Sequence, residues 1–219
     1  CIRDSNKLYY YALKQYYKVL KQRNNALKQY QQNPNPDMLD IWDMQYVEYA
    51  KEVIQRRSEF IQEINEVAKK IHANISGGKE DLEVVYEPNV LETNIEEKVA
   101  RYRQKDIMTQ SSSVGPHRDD LKFLINGMDV KVYGSQGQQR TVVLSMKLAE
   151  LRLMQENLGE APILLLDDVL SELDDSRQKY LFSYTENIQT LITCTGVEQS
   201  VWNSQKVGKL YNVVKGNIY

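Results

Sequence analysis

Ile163-Leu164-Leu165-Leu166-Asp167-Asp168, continuing as Val169-Leu170-Ser171-Glu172-Leu173-Asp174, is the stretch on which the reading of this 219-residue chain turns. Four aliphatic residues without polar alternation read as a strand buried on both faces, as in parallel sheets. A strand of this kind ending in two carboxylates sets both at the C-terminal edge of a sheet, where open α/β folds bind their ligands. One carboxylate there can hold a water-coordinated magnesium, and its neighbour can orient or deprotonate a water attacking a phosphate. The same letters also fit two acids that leave a strand and cap the next turn. This stretch alone leaves both readings open.

Working outward, residues 174–187 read as a helix and Thr190-Leu191-Ile192-Thr193-Cys194 as a second strand, with a last strand at 211–214. Upstream, residues 138–158 carry Val142, Val143, Leu144, Leu148, Leu151 and Met154 and form a helix stopped by Gly159. Strand, helix, strand in this order indicates a layered α/β unit. Directly before the long helix stands Tyr133-Gly134-Ser135-Gln136-Gly137-Gln138-Gln139-Arg140. Two glycines and a serine at a helix start aim backbone donors and a hydroxyl at one point, with the positive end of the helix dipole behind them. Such a nest suits a phosphate. It also fits a plain helix entry, with Ser135 or Gly134 as the cap.

The front of the chain is different in kind. From Ser5 to Pro36 there are six basic residues, Lys7, Lys14, Lys18, Lys21, Arg23 and Lys28, and no acidic one. Leu8, Ala12, Leu13, Tyr16, Leu20, Leu27 and Tyr30 recur near the helical period, so this is an amphipathic helix. Asn33-Pro34-Asn35-Pro36 breaks it, and Asn35 with Pro36 behind it fits the cap and first position of a second helix. Val47, Ala50, Ile54, Ile61, Ile64, Ala68 and Ile71 then follow steps of three, four and seven until Ser76-Gly77-Gly78. Two long helices joined by a short turn predict an antiparallel hairpin of about 45 Å at 1.5 Å rise per residue. Past Gly78, residues 82–86 and 121–125 read as strands, the latter ending in the turn pair Asn126-Gly127, with a helix over 91–107 between them.

Composition narrows the class. A net charge of −2 and a pI of 5.8 give no global field toward a polyanion. No aliphatic run approaches the roughly 18 residues of a membrane span, so no membrane is expected. Two cysteines, Cys1 and Cys194, fit a reducing, cytoplasmic compartment better than a disulfide framework. Tyr9, Tyr10, Tyr11, Tyr16, Tyr17 and Tyr30 among the basic residues of the first helix suit nucleic acid, by phosphate neutralisation and stacking. The residues by themselves suit still better a solvated face whose tyrosines pack on the second helix. His72 reads as a dipole partner at a helix end, and His117-Arg118 as a structural turn.

Ser135-Gln136-Gly137-Gln138 resembles the signature motif of ABC-type ATPases, residues 164–168 resemble their Walker B strand, and Ser171-Glu172-Leu173-Asp174 resembles the D-loop. Together with Gly115-Pro116-His117-Arg118-Asp119-Asp120-Leu121 and Leu20-Lys21-Gln22-Arg23-Asn24, this order is similar to the RecF family of bacterial recombination mediators. The resemblance implies an α/β fold: the C-terminal lobe of an ABC/SMC-like ATPase head over residues 79–219, with an antiparallel helical arm (lid) over 1–78. The helix near 91–108 is expected to pack with that arm. By the same resemblance Asp167 is the magnesium-linked carboxylate and Asp168 the catalytic acid, where most ABC ATPases have glutamate. Ser135, Gln136, Gly137 and Gln138 would contact ATP bound to the opposite subunit of an ATP-dependent homodimer, and residues 171–174 would line the same contact. Lys14, Lys18, Lys21 and Arg23 are the expected DNA contacts. Gln136 replaces the usual signature glycine and Cys194 the switch histidine, which fits slow hydrolysis.

The family's role implies binding of ATP, Mg2+ and single-stranded, gapped or duplex DNA. It also implies loading of recombinase at gaps with RecO and RecR, during recombinational repair and the SOS response, in the nucleoid-associated cytoplasm. A phosphate loop needs Gly-Lys-Ser/Thr. The two Gly-Lys pairs here, Gly78-Lys79 and Gly208-Lys209, are followed by Glu80 and Leu210. The chain, opening at Cys1 without methionine, is therefore expected to lack an N-terminal Walker A lobe and not to hydrolyse ATP alone. A non-enzymatic helical scaffold binding DNA or protein, or another SMC-like repair ATPase, is the alternative.

Overall fold

A computed structural model describes residues 7–159, 161–170, 173–195, 209 and 211–218. Two helices open it, α1 (Lys7–Tyr30) and α2 (Pro36–Ile75). Asn35 caps α2, its side chain accepting from the Met38 amide at 3.0 Å, and Pro36 fills the first turn where no amide partner is needed. The other end closes in a Schellman turn: Gly78 N–H donates to Ala73 O at 2.7 Å and Gly77 N–H to Asn74 O at 3.4 Å. Both glycines have positive φ, +63° and +76°, which is why this pair stops the helix. At 40 residues, α2 is about 60 Å long and outruns the 24-residue α1, so the hairpin is unequal.

Beyond the point where α1 ends its contact, α2 lies along β1 (Leu82–Glu87), whose Val84 amide donates to Asn65 Oδ1 at 2.7 Å. A short 3₁₀ turn (Glu92–Asn94) leads into α3 (Ile95–Thr109), and a second (Pro116–Arg118) into β2 (Asp120–Ile125). β1, β2 and β3 (Met128–Asp129) form an antiparallel sheet with Leu82 opposite Ile125 and Tyr86 opposite Leu121. Asn126 and Gly127, both at positive φ, make the tight β2–β3 turn. The main core joins Ala12, Tyr16 and Val19 of α1, Tyr46, Ala50 and Val53 of α2, and Ile95 and Val99 of α3.

The single turn α4 (Val130–Tyr133) then leads through Gly134 and Ser135 into α5 (Gln136–Leu158). β4 (Leu164–Asp167), α6 (Asp175–Thr185) and β5 (Thr190–Thr193) follow, then a small hairpin of β6 (Val213–Val214) and β7 (Asn217–Ile218). β4 and β5 pair in parallel, Leu164 beside Thr190 through Asp167 beside Thr193. The chain divides into two compact units, Cys1–Leu153 and Met154–Tyr219. The 78/79 boundary expected between arm and lobe falls inside the first. The apolar run at 163–166 is not buried on both faces: Leu166 is 8% exposed and Leu165 70%. Among the described residues only β5 pairs with β4, and one face of the two-stranded pair stays open. No described helix is long and apolar enough to cross a membrane.

Candidate functional site

The first unit carries the helix entry at 135–138. Ser135 Oγ accepts from the Gln138 amide at 3.2 Å, and Gln138 Oε1 accepts from the Ser135 amide at 2.9 Å. This reciprocal pair is a Ser-x-x-Gln capping box. It uses one of the Ser135 lone pairs and leaves the hydroxyl proton, and Ser135, Gln136 and Gly137 are exposed. The arrangement therefore presents one O–H and the first free amides of a 23-residue helix to solvent, which is the chemistry of an anion seat. Gly134 is required before it, since a Cβ there would lie 2.5 Å from Val130 O.

Gln138 reaches further. Its Nε2 donates to Glu80 Oε1 at 3.0 Å, and Glu80 Oε2 lies 3.0 Å from His72 Nε2. His72, in the last turn of α2, is fully buried, with its Nδ1 3.0 Å from Ser145 Oγ of α5. It is thus a bridge between helices more than a partner for the α2 dipole.

In the second unit, Asp167 and Asp168 stand exposed at the C-terminal end of the parallel pair. Thr193 at the end of β5 donates its hydroxyl to Asp167 Oδ1 at 2.5 Å, and its carbonyl accepts from the Asp168 amide at 3.1 Å. Asp168 has φ +51°, a left-handed conformation that aspartate tolerates better than most residues. Burial pushes the Cys194 thiol up, and the Asp168 charge adds to the effect. Asp174 caps α6: its carboxylate accepts the Arg177 amide at 2.9 Å and the Ser176 hydroxyl at 2.7 Å. The Arg177 amide above all holds this carboxyl below the usual range. Leu173 is buried, and Ser171 and Glu172 lie outside the described residues. Among the described residues no group of three or more His, Cys, Asp or Glu could hold a metal ion.

Lys14, Lys18 and Lys21 are exposed on α1, as are Lys7 and Lys28. At 100° per residue these five lysines fall within an arc of about 80°. Tyr10, Tyr11 and Tyr17 share that exposed side, while Tyr9 and Tyr16 turn inward to the core. Arg23 does not belong to this face, and its reading as a DNA contact is corrected. Its side chain is 0% exposed, with Nε 2.6 Å from Asp43 Oδ1 and Nη1 2.7 Å from both Asp106 Oδ2 and Ser112 Oγ. Burial works against the guanidinium charge, but Asp43 and Asp106 outweigh it.

The segment 115–119 is a structural hub. Gly115 has φ +143°, and a Cβ there would stand 2.1 Å from Tyr46 Oη. Tyr46 Oη donates to Val114 O at 2.6 Å, Tyr16 Oη lies 2.6 Å from His117 Nδ1, and His117 Nε2 lies 3.1 Å from Ser112 O. Arg57 of α2 donates to Pro116 O at 2.5 Å and to Asp119 Oδ2 at 2.9 Å. Arg118 is exposed. A cleft of 680 Å³ between α2 and α3, lined by Asp40, Met44, Val47, Glu96, Val99 and Arg103, includes none of the candidate residues.

Sequence reasoning missed Thr193, Glu80, Asp43 and Asp106. The spacing Ser-x-x-Gln was a visible sign of the capping box. The helical phase of Arg23, about 200° from Lys21, was a visible sign that it points the other way.

No family model matches the chain. Its sequence is 48% identical over 186 residues to the DNA replication and repair protein RecF of Agathobacter rectalis, covering 84% of this chain and 51% of that one. It is 45% identical over 218 residues to the protein of the same name from Clostridium perfringens strain SM101, covering 97% of this chain and 60% of that one. A solved structure of the recombination mediator protein RecF with ATP, of the RecFOR pathway, superposes with a TM-score of 0.81 at 37% identity, over 90% of this chain and 56% of that one. The chain spans between half and two thirds of the length of these relatives, and over that stretch it belongs to the RecF family.

Proposed function

We propose that this chain supplies the signature half of an ATP-dependent DNA-repair clamp: the arm, the signature helix entry and the Walker B edge of a head that closes on ATP with a second copy. The observation that carries the reading is the capping box at Ser135–Gln138. It exposes one hydroxyl proton and free helix amides on a chain whose fold matches an ATP-bound recombination mediator. In this reading Ser135 and Gly137 donate to the terminal phosphate of ATP held by the opposite subunit.

Asp167 would hold Mg2+ through water. The residues fit that task, because magnesium keeps most of its waters and needs only one or two carboxylates beside the phosphates. Bound there, the ion would neutralise phosphate charge. Asp168 orients the attacking water, and with Cys194 in place of an imidazole the hydrolysis is slow. The Lys14, Lys18 and Lys21 face, with its exposed tyrosines, takes DNA. The clamp then acts in recombinational repair with RecR and RecO companions.

The test is a chimera in which residues 1–219 replace the matching portion of the Clostridium perfringens relative, with its association state followed by analytical ultracentrifugation with and without ATP. The expected result is a nucleotide-dependent dimer that Ser135→Arg abolishes, because the longer cation fills the phosphate seat. A dimer that persists in Ser135→Arg overturns the reading.

A further inference from the structure

The helix entry at 135–138 is built from the arm side as well as from its own residues. A capping box needs the oxygen of the Gln138 amide turned toward the Ser135 N–H. The Ser135 N–H asks for that oxygen, and the NH2 on the other side of the amide needs an acceptor. Glu80 supplies it. Its carboxylate only accepts, and Oε1 takes Gln138 Nε2–H at 3.0 Å, which leaves Gln138 Oε1 for Ser135.

The second oxygen of Glu80 faces His72 Nε2 at 3.0 Å. His72 Nδ1 lies 3.0 Å from Ser145 Oγ, whose hydroxyl also stands 2.7 Å from Thr141 O. Nε2–H donates to the Glu80 carboxylate, so the buried ring is held at both nitrogens. Glu80 itself is placed by the Schellman turn that ends α2 and by its own amide on Ser76 Oγ at 3.4 Å. From α2 through Glu80 to the Ser135 amide, an unbroken chain of hydrogen bonds runs between side chains and backbone.

We propose that Glu80 is a positioning residue for the nucleotide seat: held by His72 of the arm, it fixes the Gln138 amide and thereby the Ser135–Gly137 geometry. The arm thus governs how well the seat is formed. This rests on the nucleotide reading above, but its first measurement does not. In the 219-residue chain, Glu80→Lys presents a donor where an acceptor stood, turns the Gln138 amide over, and sets its NH2 against the Ser135 N–H. Exchange of the Ser135 amide, followed by NMR, should quicken on the order of tenfold, the effect of losing one hydrogen bond.

The decisive variant reverses the polarity of the pair. In Glu80→Gln with Gln138→Glu, the new amide at 80 accepts from His72 and donates to the new carboxylate, whose other oxygen accepts from Ser135. The double variant should restore slow Ser135 exchange, and in the chimera it should restore ATP-dependent dimerisation. Gln138→Glu alone, with two carboxylates face to face, should lose both.

Unchanged Ser135 exchange in Glu80→Lys, or a double variant as impaired as the sum of its singles, overturns the proposal. If Ser135→Arg leaves the chimera's ATP-dependent dimer intact, the nucleotide reading fails instead, and the exchange measurement still judges Glu80. If Ser135→Arg abolishes the dimer but Glu80→Lys leaves it whole, the arm does not govern the seat and the proposal falls alone.

Discussion

Replacing Arg23 with methionine should damage the fold and leave DNA contact untouched, the reverse of what a surface cation would do. The guanidinium makes two charge-assisted bonds, to Asp43 at 2.6 Å and Asp106 at 2.7 Å, and one to Ser112 at 2.7 Å, and its Cζ lies 5.2 Å from the Tyr46 ring centre. Methionine keeps most of the apolar stem, so the loss is that of the charge. Its removal leaves Asp106, 2% exposed, without its counter-ion, while Asp43, 15% exposed, keeps Arg103 Nη1 at 3.5 Å. Asp106 keeps Ser113, whose amide and hydroxyl both donate to Oδ1, so one of its oxygens stays satisfied.

Breaking a buried ion pair from one side costs about 3–5 kcal/mol, and the retained Ser113 bonds argue for the lower end, about 3 kcal/mol. For a domain of this size that is a fall in Tm on the order of 10 °C. Urea unfolding followed by circular dichroism reads the loss. Adding Asp106→Asn should return part of it by removing the stranded charge. By contrast, Lys14→Ala, Lys18→Ala and Lys21→Ala should each stay within about 0.5 kcal/mol of the parent. Together they should lower the slope of log affinity for duplex DNA against log salt by about three. An Arg23→Met protein within about 1 kcal/mol of the parent, or one whose salt slope falls as it does for a lysine variant, would refute the buried-tether assignment.

Two further outcomes follow from the 115–119 hub. Gly115→Ala should cost at least about 3 kcal/mol, because its Cβ would meet Tyr46 Oη at 2.1 Å and Tyr16 Oη at 2.8 Å at a φ of +143°; the urea midpoint reports it. His117 is held neutral: burial lowers its pKa below the ordinary 6.5, and the neighbouring Arg118 charge lowers it further against the opposing Ser112, Asp119 and Asp106. A depressed value means the unfolded chain binds the proton first. The stabilisation is complete above about pH 6.5 and drains as the pH falls through the lower folded value. The difference in Tm between the parent and His117→Gln should therefore shrink between pH 7 and pH 5, and a difference that grows on acidification would contradict the sign.

Local chemistry was the legible part of this chain. Asn33-Pro34-Asn35-Pro36 and Ser76-Gly77-Gly78 read correctly as the ends of α2 because caps depend on neighbours a few residues away. The parallel strands around Asp167 were legible for the same reason, as an apolar run with its acids at one end. Pairings across long separations were not. Gln138 and Glu80 lie 58 residues apart, and Arg23 and Asp106 lie 83 apart. Nothing in either pair's local sequence names its partner. Arg23 falls among the lysines in any count of basic residues, because such a count ignores helical phase. The apolar run before Asp167 misled about burial, since hydrophobicity records what a strand can pack against, while exposure depends on which neighbours stand beside it.

The polar anchors along α2 bear on how an arm of this kind can act. Asp43 ties its first turns to α1 through Arg23, Arg57 ties its middle to Pro116 and Asp119, and His72 ties its end to Glu80 and Ser145. These points are 14 and 15 residues apart, so they grip the helix at intervals of about 21–23 Å. Swinging α2 away from the sheet would break several part-buried polar and charged contacts at once. Within the first unit the arm must therefore move with the helix entry at Ser135, as one piece. On the proposed reading, in which the α1 lysine face takes DNA and the Ser135 entry takes nucleotide, a signal between them would travel as a rigid displacement, with Glu80 as the last link.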